Sequence, residues 1–259
     1  MNNITLLHGD CLKLMMDIPD RSVDLILTDP PYETTSCTWD KALPMNQLWE
    51  QYRRIIKNNC VIVIFGKELF ASRVRLSNPE WYKYDWIWQK TTPVGFTNAK
   101  LKPLNNYENI MVFSEGCTAN GSKNNMPYYP QGLVEINKTY KQNVESQLGK
   151  ENTYHRKSWQ PTYTQTYTNY PKTILTYPTD KEKYHPTQKP VALLEYLINT
   201  YTQTDAIVLD NCMGSGSTGI AAINTGRDFI GIEKDDKYFQ IATERINNHK
   251  QTKECDSLG

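Results

Sequence analysis

No property of the whole sequence announces a partner. Over 259 residues, 29 basic side chains stand against 28 acidic ones and leave a net charge of +1. There is therefore no global basic field of the kind that gathers polyanions, and a nucleic-acid partner would need a local basic surface. No apolar run reaches the ~18 residues of a membrane span, and the start of the sequence has neither a basic n-region nor a cleavage site. The expectation is a soluble, cytoplasmic protein with no membrane partner. Cys11, Cys37, Cys60, Cys117, Cys212 and Cys255 form no C-x-x-C pair and stand at no ligand spacing from a His. That argues against a zinc site or a disulfide framework and predicts free thiols and no bound metal. A hydrophobic content of 39% with a mean hydropathy of −0.64 allows one sizeable α/β core with an insertion and long exposed loops.

What is present centres on Leu25-Ile26-Leu27-Thr28-Asp29-Pro30-Pro31-Tyr32. Val23 to Thr28 is predicted to be a short buried strand of an α/β sheet. Proline lacks an N–H and fixes φ, so the chain leaves the sheet at Asp29 in a stiff loop. The carboxylate, the backbone carbonyls and the Tyr32 ring are then presented together at the C-terminal edge of the sheet, where open α/β sheets bind ligands. An acid beside a carbonyl offers two acceptors for the hydrogens of an exocyclic NH2. An adjacent ring offers a stacking face for a planar base, worth roughly 1–3 kcal/mol. The plainer alternative is a strand end with a Pro-Pro turn and a helix-capping Asp.

Ahead of this stretch, Ile4 to Leu7 reads as a strand ending at Asp10, which faces a ligand or caps a helical turn over 11–16 with Leu12, Met15 and Met16 inward. After it, Glu33 to Leu43 has no hydrophobic period and reads as a mobile loop over the site. A helix over Pro44 to Lys57, a strand over Cys60 to Phe65, a helix over Leu69 to Leu76, and strands over Trp81 to Trp88 and Tyr107 to Phe113 follow, with a loop from Lys90 to Pro103. From Cys117 to Lys183 periodicity disappears. Nine Lys/Arg stand there against five acids, with tyrosines at 128, 129, 140, 154, 163, 167, 170 and 177 and Trp159 among them. Basic residues interleaved with aromatics and amides suit phosphate contact, base stacking and base-edge hydrogen bonds; a polar insertion is the bland alternative.

The last part of the chain holds a second constellation. Tyr184 to Pro190 is a rigid loop opening a helix whose apolar face is Val191, Leu194, Leu197 and Ile198. Ala206 to Leu209 is a strand ending in Asp210, followed by Asn211-Cys212-Met213-Gly214-Ser215-Gly216-Ser217-Thr218-Gly219 and a helix. Strand, glycine-rich turn and helix make a nucleotide-binding opening. Phe229 to Ile232 is the next strand and ends at Glu233, 19 residues after Gly214, where such folds place a carboxylate on ribose hydroxyls. A closing helix over Tyr238 to Asn247 turns Phe239, Ala242 and Ile246 inward. Gly214, Gly216 and Gly219 match G-x-G-x-x-G, so a nicotinamide-dinucleotide enzyme is one alternative. Only 40 residues follow Gly219, however, too few for the second mononucleotide half, and Asp29 to Tyr32 would have nothing to do. Seven strands result, and a sheet that begins at Ala206 and wraps to Ile4 sets the glycine strand beside the Asp29 strand.

Asp-Pro-Pro-Tyr at 29–32, His-Pro-Thr-Gln-Lys-Pro at 185–190, Met-Gly-Ser-Gly at 213–216 and Phe-Ile-Gly-Ile-Glu at 229–233 occur in that order. The sequence thereby resembles the β group of S-adenosylmethionine-dependent DNA amino-methyltransferases, adenine-N6 type. The resemblance implies a circularly permuted, seven-stranded Rossmann-like α/β sheet, with a catalytic part over 1–116, a target-recognition insertion over 117–183 and a cofactor-binding part over 184–259. It implies S-adenosylmethionine as cofactor, double-stranded DNA as partner and, as in many such enzymes, a homodimer. Asp29, Pro30, Pro31 and Tyr32 would be catalytic. Asp210, Gly214 and Gly216, with Met213, Ser215 and Thr218 around them, would shape the methionine pocket. Glu233, with Lys234 beside it, would take the ribose, and Asp10, with Cys11, the adenine amino group. Gln188 and Lys189 would lie near the carboxylate end, and Asp29 would also border the cofactor. Asn211-Cys212 departs from the Pro-Phe of similar enzymes, whose Phe packs on the cofactor. Cytosine N4, an RNA or protein amide, and a DNA-binding regulator without turnover are the other readings.

Overall fold

The computed structural model of the protein describes residues 2–33, 43–141 and 162–256. The threonine-rich loop expected over Glu33 to Leu43 falls almost wholly outside them, as do Lys150, Tyr154, Arg156, Lys157 and Trp159 of the basic tract. In chain order the elements are β1 (Ile4–His8), α1 (Cys11–Leu14), β2 (Val23–Thr28), α2 (Met45–Ile55), β3 (Ile56–Gly66), α3 (Phe70–Ser77), β4 (Tyr82–Val94), β5 (Asn105–Ser114), β6 (Val134–Lys141), β7 (Thr162–Thr168), β8 (Ile174–Tyr177), α4 (Val191–Tyr201), β9 (Ile207–Asp210), α5 (Ser217–Asn224), β10 (Asp228–Glu233) and α6 (Asp236–Asp256).

The main unit comprises Met1–Tyr129 and Thr173–Gly259. Its sheet has the order β1-β10-β9-β2-β3-β5-β4-β8. The last two strands before α6 are thus slotted between β1 and β2, and every pair from β1 to β3 is parallel. β5 runs antiparallel to both β3 and β4, and β8 closes the far edge parallel to β4. The sheet has eight strands where seven were expected. The extra one, Ile174-Leu175-Thr176-Tyr177, is four residues inside a polar tract, without apolar–polar alternation and too short to show as a period; Leu175 is buried against the sheet.

Burial follows the two-residue period of a strand. Leu25 and Leu27 of β2 join Val61 and Val63 under Leu193, Leu197, Ile198, Ile220 and Ile246. Ile26, Ile62 and Ile64 point the other way, onto Leu48, Tyr52, Ile55, Ala71 and Val74. Helices α4, α5 and α6 therefore cover one face and α2 and α3 the other, which explains why β2 reads as a continuous apolar run. Near α1, Met15 is fully buried but Met16 is 62% exposed. The expected inward Met16 fails because the helix stops at Leu14 and a 3-10 turn over Met15–Asp17 rotates residue 16 outward. The expected loop from Lys90 is ordered: β4 continues to Val94 and a 3-10 turn covers Phe96–Asn98. No helix among the described residues is long and apolar enough to cross a membrane.

The second unit, Pro130–Lys172, is smaller than the 117–183 tract marked out by composition. Its β6 and β7 pair antiparallel as a ribbon exposed along most of its length. Tyr140 stacks on Tyr163 at 5.3 Å, Lys138 lies over the Tyr140 ring, and the Thr139 and Thr164 hydroxyls are 3.0 Å apart. Cross-strand aromatic and threonine pairs of this kind hold a ribbon that buries little.

Candidate active site

The C-terminal ends of β1, β10, β9 and β2 lie on one edge, because those strands are parallel and in register (His8 opposite Glu233, Gly231 opposite Asp210, Ile26 opposite Leu209). A cavity of about 530 Å³ opens there. Of the residues singled out from the sequence, Asp10, Cys11, Asp29, Pro31, Gln188, Lys189, Asp210, Met213, Gly214, Ser215, Thr218, Glu233 and Lys234 line it. Residues 180 positions apart in the chain meet because β9 is the neighbour of β2. Pro30, Tyr32 and Gly216 do not line the cavity.

The two glycines of the turn do different work. Gly214 has φ +52 with only the His185 ring at 3.9 Å from where a Cβ would stand, so its backbone faces open space. Its N–H donates to Glu233 Oε2 at 2.9 Å. Gly216, at φ +80, is the N-cap of α5, and a Cβ there would sit 2.9 Å from Ile246 Cδ1. The left-handed backbone at Gly216 favours glycine, and α6 packs close against it. Glu233 is held by three amides: Gly214 on Oε2 at 2.9 Å, and Lys234 and Asp235 on Oε1, both at 2.8 Å. Burial still pushes its carboxyl upward. Asp10 caps α1, Oδ1 accepting from Leu12 N–H at 3.0 Å, while Oδ2 pairs with Lys234 at 3.2 Å in the cavity wall.

Asn211 is buried and accepts a hydrogen bond from the Tyr52 hydroxyl at 2.7 Å. The residue that replaces the usual proline of similar enzymes thus ties α2 to the glycine turn. Asp210 accepts from the Thr218 hydroxyl at 2.6 Å and the Cys212 amide at 3.1 Å. Burial raises its carboxyl to about 7 in spite of these bonds. The folded protein therefore holds this proton up to about neutrality, whereas an unfolded Asp releases it at about 3.9. The stability that goes with the proton is present below that value and lost as pH rises through 7. Asp210→Asn should flatten the fall in stability between pH 4 and 7, by about 4 kcal/mol at most. Urea unfolding across that range measures it; a variant with the wild-type slope would mean that Asp210 titrates normally.

Around Asp29 the charges are dense. Oδ1 accepts from the Tyr32 hydroxyl and Oδ2 from Lys189 Nζ. The Tyr32 ring stacks on Phe70 at 4.9 Å, which fixes it beside the carboxylate. Burial raises the Asp29 carboxyl, with Lys189 opposing. Lys189, in the cavity wall, is buried between Asp29 and Glu108, 3.4 Å from the latter. Glu108 also pairs with Lys90 at 2.6 Å and Lys67 at 3.2 Å. Burial would lift the Glu108 carboxyl, but the three lysines outweigh it and hold it at about 2. Glu108, Lys90 and Lys67 escape sequence reasoning; the available signal was one acid at the head of the apolar run Ile110-Met111-Val112-Phe113. His185 was also missed as a site residue. It lines the cavity, and burial with the nearby Lys189 lowers it to about 4, so the ring is neutral at pH 7.

The family model described as "N6_N4_Mtase: DNA methylase" matches residues 23–244, from β2 into α6. The chain belongs to this DNA methylase family. It is 26% identical to the Type II methyltransferase M.HinfI of Haemophilus influenzae over 95% of this chain and 69% of the relative. It is 27% identical to the Type II methyltransferase M2.LlaDCHI of Lactococcus lactis subsp. cremoris over 95% and 90% respectively. Among solved structures, that of an M1.HpyAVI–SAM complex superposes with a TM-score of 0.62 at 26% identity, covering 94% of this chain and 99% of that one. The DNA methylase keeps its cavity at the sheet edge that carries Asp29 and Gly214.

Proposed function

We propose that this DNA methylase transfers a methyl group from S-adenosylmethionine to N6 of a flipped adenine in double-stranded DNA. The observation that carries the reading is the Asp29 carboxylate in the wall of a cavity that also holds the Gly214 turn and Glu233. S-adenosylmethionine, when bound, supplies an electrophilic methyl group on a sulfonium. Asp210, Met213, Gly214, Ser215 and Thr218 are assigned to its methionine half, Glu233 and Lys234 to the ribose, and Asp10 and Cys11 to the adenine.

The target amino group is out of reach in the stack, so the base is extruded first. Tyr32, held by Phe70 and Asp29, is assigned the stacking face. Each Asp29 oxygen spends one acceptor position, on Tyr32 or Lys189, and a carboxylate oxygen has two. Asp29 therefore has acceptor capacity left for an amino hydrogen, and the Pro30 carbonyl is assigned the second. Both bonds draw the nitrogen lone pair out of ring conjugation. As the nitrogen becomes positive, the fixed carboxylate stabilises it. In similar enzymes an Asp at this position goes with adenine and a Ser with cytosine, which favours N6 within a family that spans N6 and N4. The ribbon of β6 and β7, with Lys138, Tyr140, Tyr163 and Tyr167, is assigned to duplex contact.

Transfer of labelled methyl to mixed genomic DNA, followed by nucleoside digestion and mass analysis, tests this. N6-methyladenine is the expected product. Replacing 130–172 by a short linker should keep cofactor binding and cost at least tenfold in duplex affinity. N4-methylcytosine would move the target atom, and unlabelled DNA with cofactor binding intact would overturn the reading.

A further inference from the structure

The tip joining β4 to β5 has a feature that folding does not require. Phe96 is 82% exposed and Leu101 86% exposed, the largest exposures of any big apolar side chain among the described residues. They do not sit on a slack loop. Gly95, at φ +94, starts a run of tight turns in which Asn98 N–H donates to the Gly95 carbonyl, Ala99 to Phe96, and Leu101 and Lys102 to Asn98, all at 2.9–3.1 Å. Ordered backbone holds two apolar side chains out in water, and such exposure marks an interaction site.

The position of the tip says with what. β4 is antiparallel to β5 and β5 to β3, so β4 leaves the sheet at the edge where β2 delivers Asp29. The root of the finger touches the reaction site: Lys90 pairs with Glu108, Glu108 with Lys189, and Lys189 with Asp29. From residue 91 to residue 107 the finger carries Lys100 and Lys102 and no acid. An acid-free, basic, apolar-tipped projection beside the target carboxylate is complementary to a polyanion with a stacked interior.

We propose that the β4–β5 tip is the wedge of this enzyme. Phe96 and Leu101 enter the base stack and fill the gap left when the target base swings toward Asp29, while Lys100 and Lys102 contact the flanking phosphates. Apolar wedges between base steps stabilise unstacked duplex in this way. The inference rests on the flipped-base reading above.

The test uses the full chain and synthetic duplexes built on a site that the wild-type enzyme methylates, with the target either paired or opposite an abasic position. Phe96→Ala/Leu101→Ala should lose at least tenfold in kcat/KM on the paired duplex and return to within threefold of wild type opposite the abasic position, with unchanged S-adenosylmethionine affinity by calorimetry. Lys100→Gln/Lys102→Gln should make the slope of log affinity against log salt shallower by about 1.8. Equal loss on both duplexes, no loss on the paired one, or an unchanged salt slope would overturn the wedge. So would a wild-type dimer that becomes monomeric in the apolar double variant, since the tip would then be an interface between copies. Failure of the wild-type enzyme to methylate any DNA would strike at the function reading instead.

Discussion

Asp29→Asn is expected to lower kcat for methyl transfer by about 10²–10³-fold, with S-adenosylmethionine affinity changed by less than threefold. The amide keeps the shape of the side chain and one acceptor oxygen, so Tyr32 can still donate to it. It removes the negative charge that faces the nitrogen as that nitrogen becomes positive. An effect made only in the transition state appears in kcat and kcat/KM alike, and the KM for DNA should move little. Single-turnover rates with saturating cofactor and DNA measure the step directly. A variant within fivefold of wild type would mean that Asp29 contributes position alone and its charge is irrelevant. Lys189 makes the result sharper, because the substitution leaves that buried ammonium paired with Glu108 only.

The second large effect lies one residue further back. Glu108→Leu removes the one carboxylate that Lys189, Lys90 and Lys67 share. Removing one partner of a buried ion pair leaves uncompensated charge and typically costs 3–5 kcal/mol, so a loss of about that size is expected from urea unfolding at pH 7. The pH dependence provides an independent readout. With the folded carboxyl held at about 2, its contribution is present above the ordinary Glu range and is lost as pH falls toward 2. Glu108→Leu should therefore differ most from wild type above pH 5 and converge with it in acid. Adding Lys90→Met should restore part of the loss, since replacing both members of a buried pair is often neutral. A single variant as stable as wild type would show that the lysines find solvent instead.

These two residues also show what can be read from a sequence and what cannot. Asp29 is legible because strand, acid, two prolines and ring are contiguous, and the chemistry of each is intrinsic to its type. Gly214 and Glu233 are legible because only 19 residues of turn, helix and strand separate them. Glu108 is not, because its meaning comes from three lysines on β4, at the end of β3 and ahead of α4, brought together by strand pairing. The two protein carboxylates that Lys189 pairs with are likewise invisible in the sequence, since both lie far from it in the chain. At Gly216 a φ of +80 and the nearness of Ile246 both favour glycine, and the sequence does not separate these demands from that of a ligand. The eighth strand was hidden by length, since four residues cannot establish a period against a polar background.

The slotting of β9 and β10 between β1 and β2 has a consequence for how this chain comes into being. On a ribosome, β1 emerges first and has no neighbour in the sheet, since Ile4 pairs with Phe229, 225 positions later. β2 can pair with β3 early, but its other edge stays open until Ile207–Asp210 arrives. Contacts of such separation are slow to form, and unpaired strand edges in the interval invite association with other chains. The nascent polypeptide carries Asp29 for most of its synthesis with no floor beneath it, and the site is assembled in one late step by the last strands made.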